Sequence, residues 1–84
     1  MELIFDPEAW KDYLYWQDQD KKTLRRINQL IKDIYRSPYE GIGKPEPLKG
    51  RPCWSRRIDN YNRLIYDISD GNLRIIACRD HYKD

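Results

Sequence analysis

No apolar run in this 84-residue chain is long enough to span a bilayer, and its first residues, MELIFDP, contain neither a basic region nor an extended apolar stretch. With Pro7 interrupting that segment, neither a secretory signal nor a membrane helix is expected. Cysteine is scarce. Cys53 and Cys78 fall in no metal-ligand spacing and form no framework of bridges. Cys78, inside the run IIAC, reads as a buried small hydrophobe, and a reducing cytoplasm is the compartment that fits. Histidine is scarcer still: His81 is the single side chain whose unperturbed pKa lies near neutrality. No cluster of carboxylates offers a metal site, so neither a metal nor another cofactor is expected.

The length allows one domain, residues 1–84, with one small core. Such a domain is only marginally able to bury its apolar faces alone, which makes a partner or a dimer plausible. Three Trp and seven Tyr are many for a chain of this size. Some of them are expected to line an interface or a stacking surface rather than the core.

Charge is abundant and uneven. The stretch from Lys44 to Arg63, KPEPLKGRPCWSRRIDNYNR, holds six cations against two acids, although the whole chain is only +2. Basic charge this concentrated points to a polyanion. An isolated acid within it, Glu46, is out of place for phosphate binding alone and suits acid–base chemistry on a phosphodiester.

Local patterns indicate an α+β fold. Glu2 to Phe5 reads as a short edge strand. Asp6-Pro7 is a helix start, with Asp6 at the N-cap and Pro7 at the first helical position. The first helix is expected from Pro7 to about Gln17, with Trp10 and Leu14 on one face and Ala9, Tyr13 and Trp16 on a neighbouring stripe. The polar patch QDQD breaks the apolar pattern, and Asp20 at its end caps a second helix that carries Leu24, Ile27, Leu30, Ile31 and Ile34 through about Tyr35. A connection this short makes an antiparallel hairpin. The cations Lys21, Lys22, Arg25, Arg26 and Lys32 read as a solvated face, with RNA contact as the alternative. Ser37-Pro38 ends the helix, and Pro45 and Pro47 then hold Glu46 on a stiff, extended backbone.

From Cys53 the period changes to two. Trp54 and Ile58 face one side, Ser55 and Arg57 the other; Leu64, Tyr66 and Ile68 oppose Arg63, Ile65 and Asp67. If Ile58 and Leu64 both meet the helices, a three-residue connection Asp59-Asn60-Tyr61 puts Arg57 and Arg63 together on the opposite face. Two guanidinium groups there repel each other unless an anion lies between them. Parity leaves Arg56 on the apolar side, so it is expected at a rim, paired or snorkelling. Asp70-Gly71 makes a two-residue turn that pairs Tyr66 with Ile75, Asp67 with Arg74 and Leu64 with Ala77. Leu73 to Arg79, apolar on both faces, reads as a central strand. The same register would carry Tyr82 onto the Arg63 face; His81 is not placed by it.

Cleaving RNA through its own 2′-hydroxyl needs a base for that proton, an acid for the 5′-oxygen and cations for the phosphorane's extra charge. Glu46, His81 and the set Lys49, Arg57 and Arg63 would supply these. The spacing is suggestive only.

The runs DYLYWQ, INQLIKD, GIGKPEPLKG, CWSRRI, NRLIY and ACRDHY make the chain resemble the YoeB toxin family of the RelE/ParE superfamily. The resemblance covers essentially the whole chain. It implies two N-terminal helices packed on a small, mainly antiparallel sheet, as in microbial ribonucleases. It also implies metal-independent cleavage of translated mRNA in the A site of the 70S ribosome, a YefM-type antitoxin whose flexible tail wraps the toxin, and a homodimer. Carried over by position, the general base is Glu46, the general acid His81 and the transition-state cation Arg63. Lys49, Arg57 and Tyr82 match positions that bind the phosphate or the displaced base. Two departures are the short link Gly50-Arg51-Pro52-Cys53 and the residues Lys83-Asp84 after the His-Tyr pair. The alternative class is a non-catalytic binding module of the same fold, either a toxin aimed at a protein target or an operon regulator in complex with its antitoxin.

Overall fold

Local sequence signals set most element boundaries in the computed structural model, which describes residues 1–80. Strand β1 (Leu3–Phe5) leads into helix α1 (Pro7–Gln19), which is followed by helix α2 (Lys21–Arg36). Pro7 occupies the first turn of α1 as expected, and Asp6 sits at the N-cap with extended backbone. Its carboxylate makes no capping bond; it faces Arg74 at 3.4 Å instead. Helix α1 runs on through Gln17, Asp18 and Gln19 of the QDQD stretch and ends there. Asp20 alone separates the two helices, its N–H closing α1 on the Trp16 carbonyl while its carboxylate accepts from the Lys22 and Thr23 amides of α2. That shared cap makes the hairpin.

Strands β2 (Glu46–Pro47), β3 (Trp54–Arg57), β4 (Arg63–Ser69) and β5 (Asn72–Ala77) complete a five-stranded sheet in the order β1-β5-β4-β3-β2. All pairings are antiparallel except β1 with β5, which is parallel. β5 is internal and β1 lies at an edge, as the patterns indicated. The helices cover one face. Ala9, Ile27, Leu30, Ile31 and Ile34 meet Ile58, Leu64, Tyr66, Leu73, Ile75 and Cys78 in the main core. The packed stripe of α1 is Ala9, Tyr13 and Trp16, whereas Trp10 and Leu14 stay 49% and 38% exposed. Trp10 stacks on Tyr13 and meets Phe5 edge-on, beside an apolar groove of about 490 Å³ next to β1.

The β4–β5 register corrects one expectation. Tyr66 pairs with Ile75 and Asp67 with Arg74, but a bulge follows and Ala77 pairs with Ile65 rather than Leu64. The extra residue switches parity. Ile76 and Ala77 both pack against the outer cluster of Leu48, Cys53 and Ile65. Cys78 is thereby turned into the core, with no exposed surface. Burial, together with the neighbouring Asp12 carboxylate, pushes its thiol up to about 12, so it stays protonated and inert at neutral pH.

Arg56 is the second correction. It is not at a rim: it is fully buried and lies 2.6 Å from the Asp33 carboxylate. Its guanidinium donates to the carbonyls of Ser37 (2.6 Å), Glu40 (3.0 Å) and Ile42 (3.2 Å) and to the Tyr66 hydroxyl (3.3 Å). Tyr66 in turn donates to the Pro38 carbonyl (2.6 Å), and Asp33 accepts from the Ile42 amide (2.9 Å). A charge this deep is tolerable because its donors are matched to acceptors. The loop between α2 and β2 is wrapped onto this pair closely enough that a Cβ at Gly41 would overlap the Asp33 carboxylate.

Hydrogen bonds from Arg36, the Ile42 amide and Arg56 hold the Asp33 carboxyl well below the usual carboxylate range. A depressed folded-state pKa stabilises the fold at every pH above the unfolded value, here 3.8, and that contribution is lost as pH falls below it. Asp12, raised chiefly by burial, acts with the opposite sign. The thermal midpoint is therefore expected to fall steeply below about pH 4. Asp33→Asn should start from a lower midpoint at pH 7 and fall less steeply in acid. Parallel curves for the two proteins would remove Asp33 from the account.

Candidate active site

The outer face of β2, β3 and β4 carries the expected charged set. Glu46 pairs with Ser55 across β2 and β3, Ser55 with Ile65 across β3 and β4, and Arg57 lies directly opposite Arg63. Directly paired residues share a face. Glu46, Ser55, Arg57, Ile65 and Arg63 therefore stand on the side away from the helices, over the small cluster of Leu48, Cys53 and Ile65. Glu46 is one strand from Arg57 and offset by two residues, about 7 Å along the strand. Ser55 is buried beneath them, while Glu46 and Arg57 are exposed.

Each member is held by its backbone. Glu46 lies on an edge strand rather than in a free loop. The hairpin beyond it closes with Leu48 N–H on the Cys53 carbonyl (2.9 Å) and Arg51 N–H on the Leu48 carbonyl (3.2 Å). The short link thus forms a compact turn that keeps Glu46 opposite Ser55. Lys49 lies in that turn, exposed. The Arg57 amide donates to the Gly43 carbonyl (2.6 Å), joining β3 to the loop secured by Arg56, and Arg26 of α2 donates to the Arg57 carbonyl (3.3 Å). The remaining cations of that helix face, Lys21, Lys22, Arg25 and Lys32, are exposed.

The three-residue connection predicted between β3 and β4 is present: Ile58 N–H bonds to the Asn62 carbonyl at 3.0 Å. Asp59 folds it by accepting from the Tyr61 and Asn62 amides (2.8 and 2.6 Å) and from the Asn62 side chain. Burial raises the Asp59 carboxyl, but these bonds and the charge of Arg63 outweigh it and hold the group below its ordinary value. Arg63 directs Nη1 to the carbonyls of Asp59 (3.1 Å) and Asn62 (3.2 Å), which fixes its stem. Among the described residues, Glu46, Arg57 and Arg63 enter no ion pair. Two adjacent guanidinium groups outside any ion pair repel each other and attract anions.

His81 and Tyr82 lie outside the described residues. Asp80, the residue before His81, is anchored at the head of β4: its carbonyl accepts from the Arg63 amide at 3.1 Å. Sequence reasoning missed Asp33 and Asn62. Asp33 was detectable, since it interrupts the apolar stripe of α2 just as Arg56 interrupts that of β3, and opposite charges on two facing apolar surfaces imply a pair. Asn62 carried no such signal.

A helical hairpin on one face of a mainly antiparallel sheet is a RelE-like fold. It is shared at fold level with the solved YafQ of E. coli (TM-score 0.72, 19% identity, covering 94% of this chain and 91% of that one). The chain belongs to the family of YoeB-like toxins of bacterial type II toxin–antitoxin systems, whose model matches residues 5–82. Toxin YoeB of Escherichia coli K12 is 55% identical over 84 residues, 98% of this chain and 100% of that protein. The solved YoeB/ParE toxin from Agrobacterium tumefaciens superposes with a TM-score of 0.95 at 43% identity, covering 98% of this chain and 100% of that one. A YoeB–YefM heterotetramer from Staphylococcus aureus gives a TM-score of 0.89 at 44% identity, over 98% of each chain. No helix among the described residues is long and apolar enough to cross a membrane.

Proposed function

We propose that this toxin is a metal-independent endoribonuclease that cuts translated mRNA in the ribosomal A site. The observation that carries the reading is the direct pairing of Arg57 with Arg63, with Glu46 on the same face of the adjoining strand. A phosphodiester placed between the two guanidinium groups would be neutralised by both. Glu46 takes the proton of the 2′-hydroxyl, and the 2′-oxygen forms its bond to phosphorus. Arg63 stabilises the charge that builds on the non-bridging oxygens. The bond from phosphorus to the 5′-oxygen then breaks as the His81 imidazolium donates its proton, leaving a 2′,3′-cyclic phosphate and a 5′-hydroxyl. Lys49, Arg57 and Tyr82 hold the phosphate and the displaced base. No carboxylate cluster is called on.

The partner proposed is a YefM-type antitoxin, on the strength of the S. aureus complex. An acidic, amphipathic segment of it would order on the basic face and occlude the site. A homodimer is proposed from the exposed Trp10 groove and from the solved YoeB dimer of S. aureus, and the cytoplasm as the compartment.

The test is mRNA integrity in a reconstituted translation system, with and without translating ribosomes, comparing wild type with His81→Ala. Cleavage within the translated region, slowed about 10²–10⁴-fold in the variant, is the expected result. Intact mRNA with wild type, alongside growth arrest in cells, would transfer the proposal to a binding module of the same fold.

A further inference from the structure

The chain leaves β5 through three successive residues, each held by a group distant in sequence. Cys78 donates its N–H to Asp12 Oδ2 at 3.0 Å, and its carbonyl accepts from Trp16 Nε1 at 2.7 Å, both partners on α1. Arg79 lays its guanidinium on the Tyr15 ring, 3.5 Å from the centroid. Asp80, at φ +68°, donates its N–H to Asn62 Oδ1 at 2.7 Å and accepts from the Arg63 N–H at 3.1 Å. A residue other than glycine holds positive φ at some cost, and these two bonds offset that cost at Asp80.

Asn62 is the junction. The Asp59 carboxylate accepts from Asn62 N–H (2.6 Å) and Nδ2 (3.0 Å), which orients the amide so that its oxygen meets Asp80. The carbonyl of the same residue accepts from Arg63 Nη1 at 3.2 Å. One residue therefore meets both the Arg63 guanidinium, through its carbonyl, and the Asp80 N–H, through its side chain.

We infer that Asn62 is a positioning residue of the nuclease reaction. The inference rests on the reading given above. Asn62 reaches neither the scissile phosphate nor the leaving group. Its part is to hold Asp80 in register with Arg63, so that the acid supplied from position 81 and the cation that stabilises the phosphorane act on one phosphate. A misplacement of about 1 Å in such an arrangement costs on the order of 10²-fold in rate.

The experiment compares wild type, Asn62→Ala and the exchange Asp59→Asn/Asn62→Asp. In the exchange, the amide placed at position 59 still accepts from the turn's backbone and donates to the carboxylate at position 62. The second oxygen of that carboxylate accepts from the Asp80 N–H. Two readouts are used: single-site cleavage kinetics on translating ribosomes, and hydrogen exchange of the Asp80 amide in the isolated protein. Asn62→Ala is expected to lower kcat by about 10- to 100-fold with KM nearly unchanged. It should also speed exchange at Asp80, and the double exchange should restore both. A variant that exchanges faster at Asp80 but cuts with wild-type kcat overturns the inference. So does a loss of activity that merely follows the folded fraction and is not recovered in the double variant. A wild type that cuts nothing overturns the nuclease reading itself, a result distinct from either of these.

Discussion

Glu46→Gln is expected to cut translated mRNA about 10²–10⁴ times more slowly than wild type, with stability almost unchanged. The two parts of this expectation come from one geometry. Glu46 is exposed on the edge strand β2, and among the described residues it takes part in no ion pair. Its removal therefore leaves no orphaned partner, and the amide keeps the side chain's size. Exposed substitutions of this kind stay within about 0.5 kcal/mol. The loss falls on basicity, because an amide cannot take the 2′-hydroxyl proton. Lys49, Arg57 and Arg63 are untouched, so substrate binding should weaken far less than turnover, and kcat and kcat/KM should fall together. Single-turnover cleavage at saturating ribosomes, run beside a thermal melt, measures both. Full-speed cleavage by Glu46→Gln would end its assignment as the base.

Arg56→Met is expected to destabilise the fold by about 3–5 kcal/mol, a large part of the roughly 5–10 kcal/mol available to a domain of this size. Removing the guanidinium takes one of three donors from the Asp33 carboxylate, which keeps Arg36 and the Ile42 amide. It also leaves the carbonyls of Ser37, Glu40 and Ile42 without their donor. Asp33→Asn should cost clearly less, because an amide can still accept from Ile42 and Arg56 remains to hold the loop. That asymmetry marks Arg56 as the hub of the loop rather than half of a symmetrical pair. Urea denaturation gives the two values, and limited proteolysis between residues 37 and 43 shows whether the loop is released. A cost below about 1 kcal/mol for Arg56→Met would sink this account. Since the loop leads directly into β2, residual folded Arg56→Met should also cut more slowly per folded molecule.

Much of the fold was legible in the sequence because its signals are local. Pro7 and Asp20 start the helices through backbone chemistry within one turn. The apolar repeat of α2 and the alternation in β3 and β4 assign faces by periodicity alone. Asp70-Gly71 makes the turn through positive φ at both residues. From those faces and a three-residue connection, the pairing of Arg57 with Arg63 follows without knowledge of tertiary contacts. The placement of Glu46 on the same outer face required the β2–β3 hairpin, whose register depends on how the link to Cys53 closes.

The sequence by itself determined the helical hairpin, the two faces of β3 and β4 and the pairing of Arg57 with Arg63 on the outer one, since each depends on neighbours within a few positions. Only the tertiary structure decided three other things. Arg56 is buried rather than at a rim, because the loop over α2 brings carbonyls to it that are far away in sequence. The bulge at Ile76 turns Cys78 into the core, because α1 offers Asp12 and Trp16 to a strand end that would otherwise continue along β4. Asp80 is tied to Asn62 and Arg63, because that turned strand end comes back to the head of β4. Parity counting assumes an unbroken ladder, and a single unpaired residue whose hydrogen bonds are met from another layer is enough to change every placement after it.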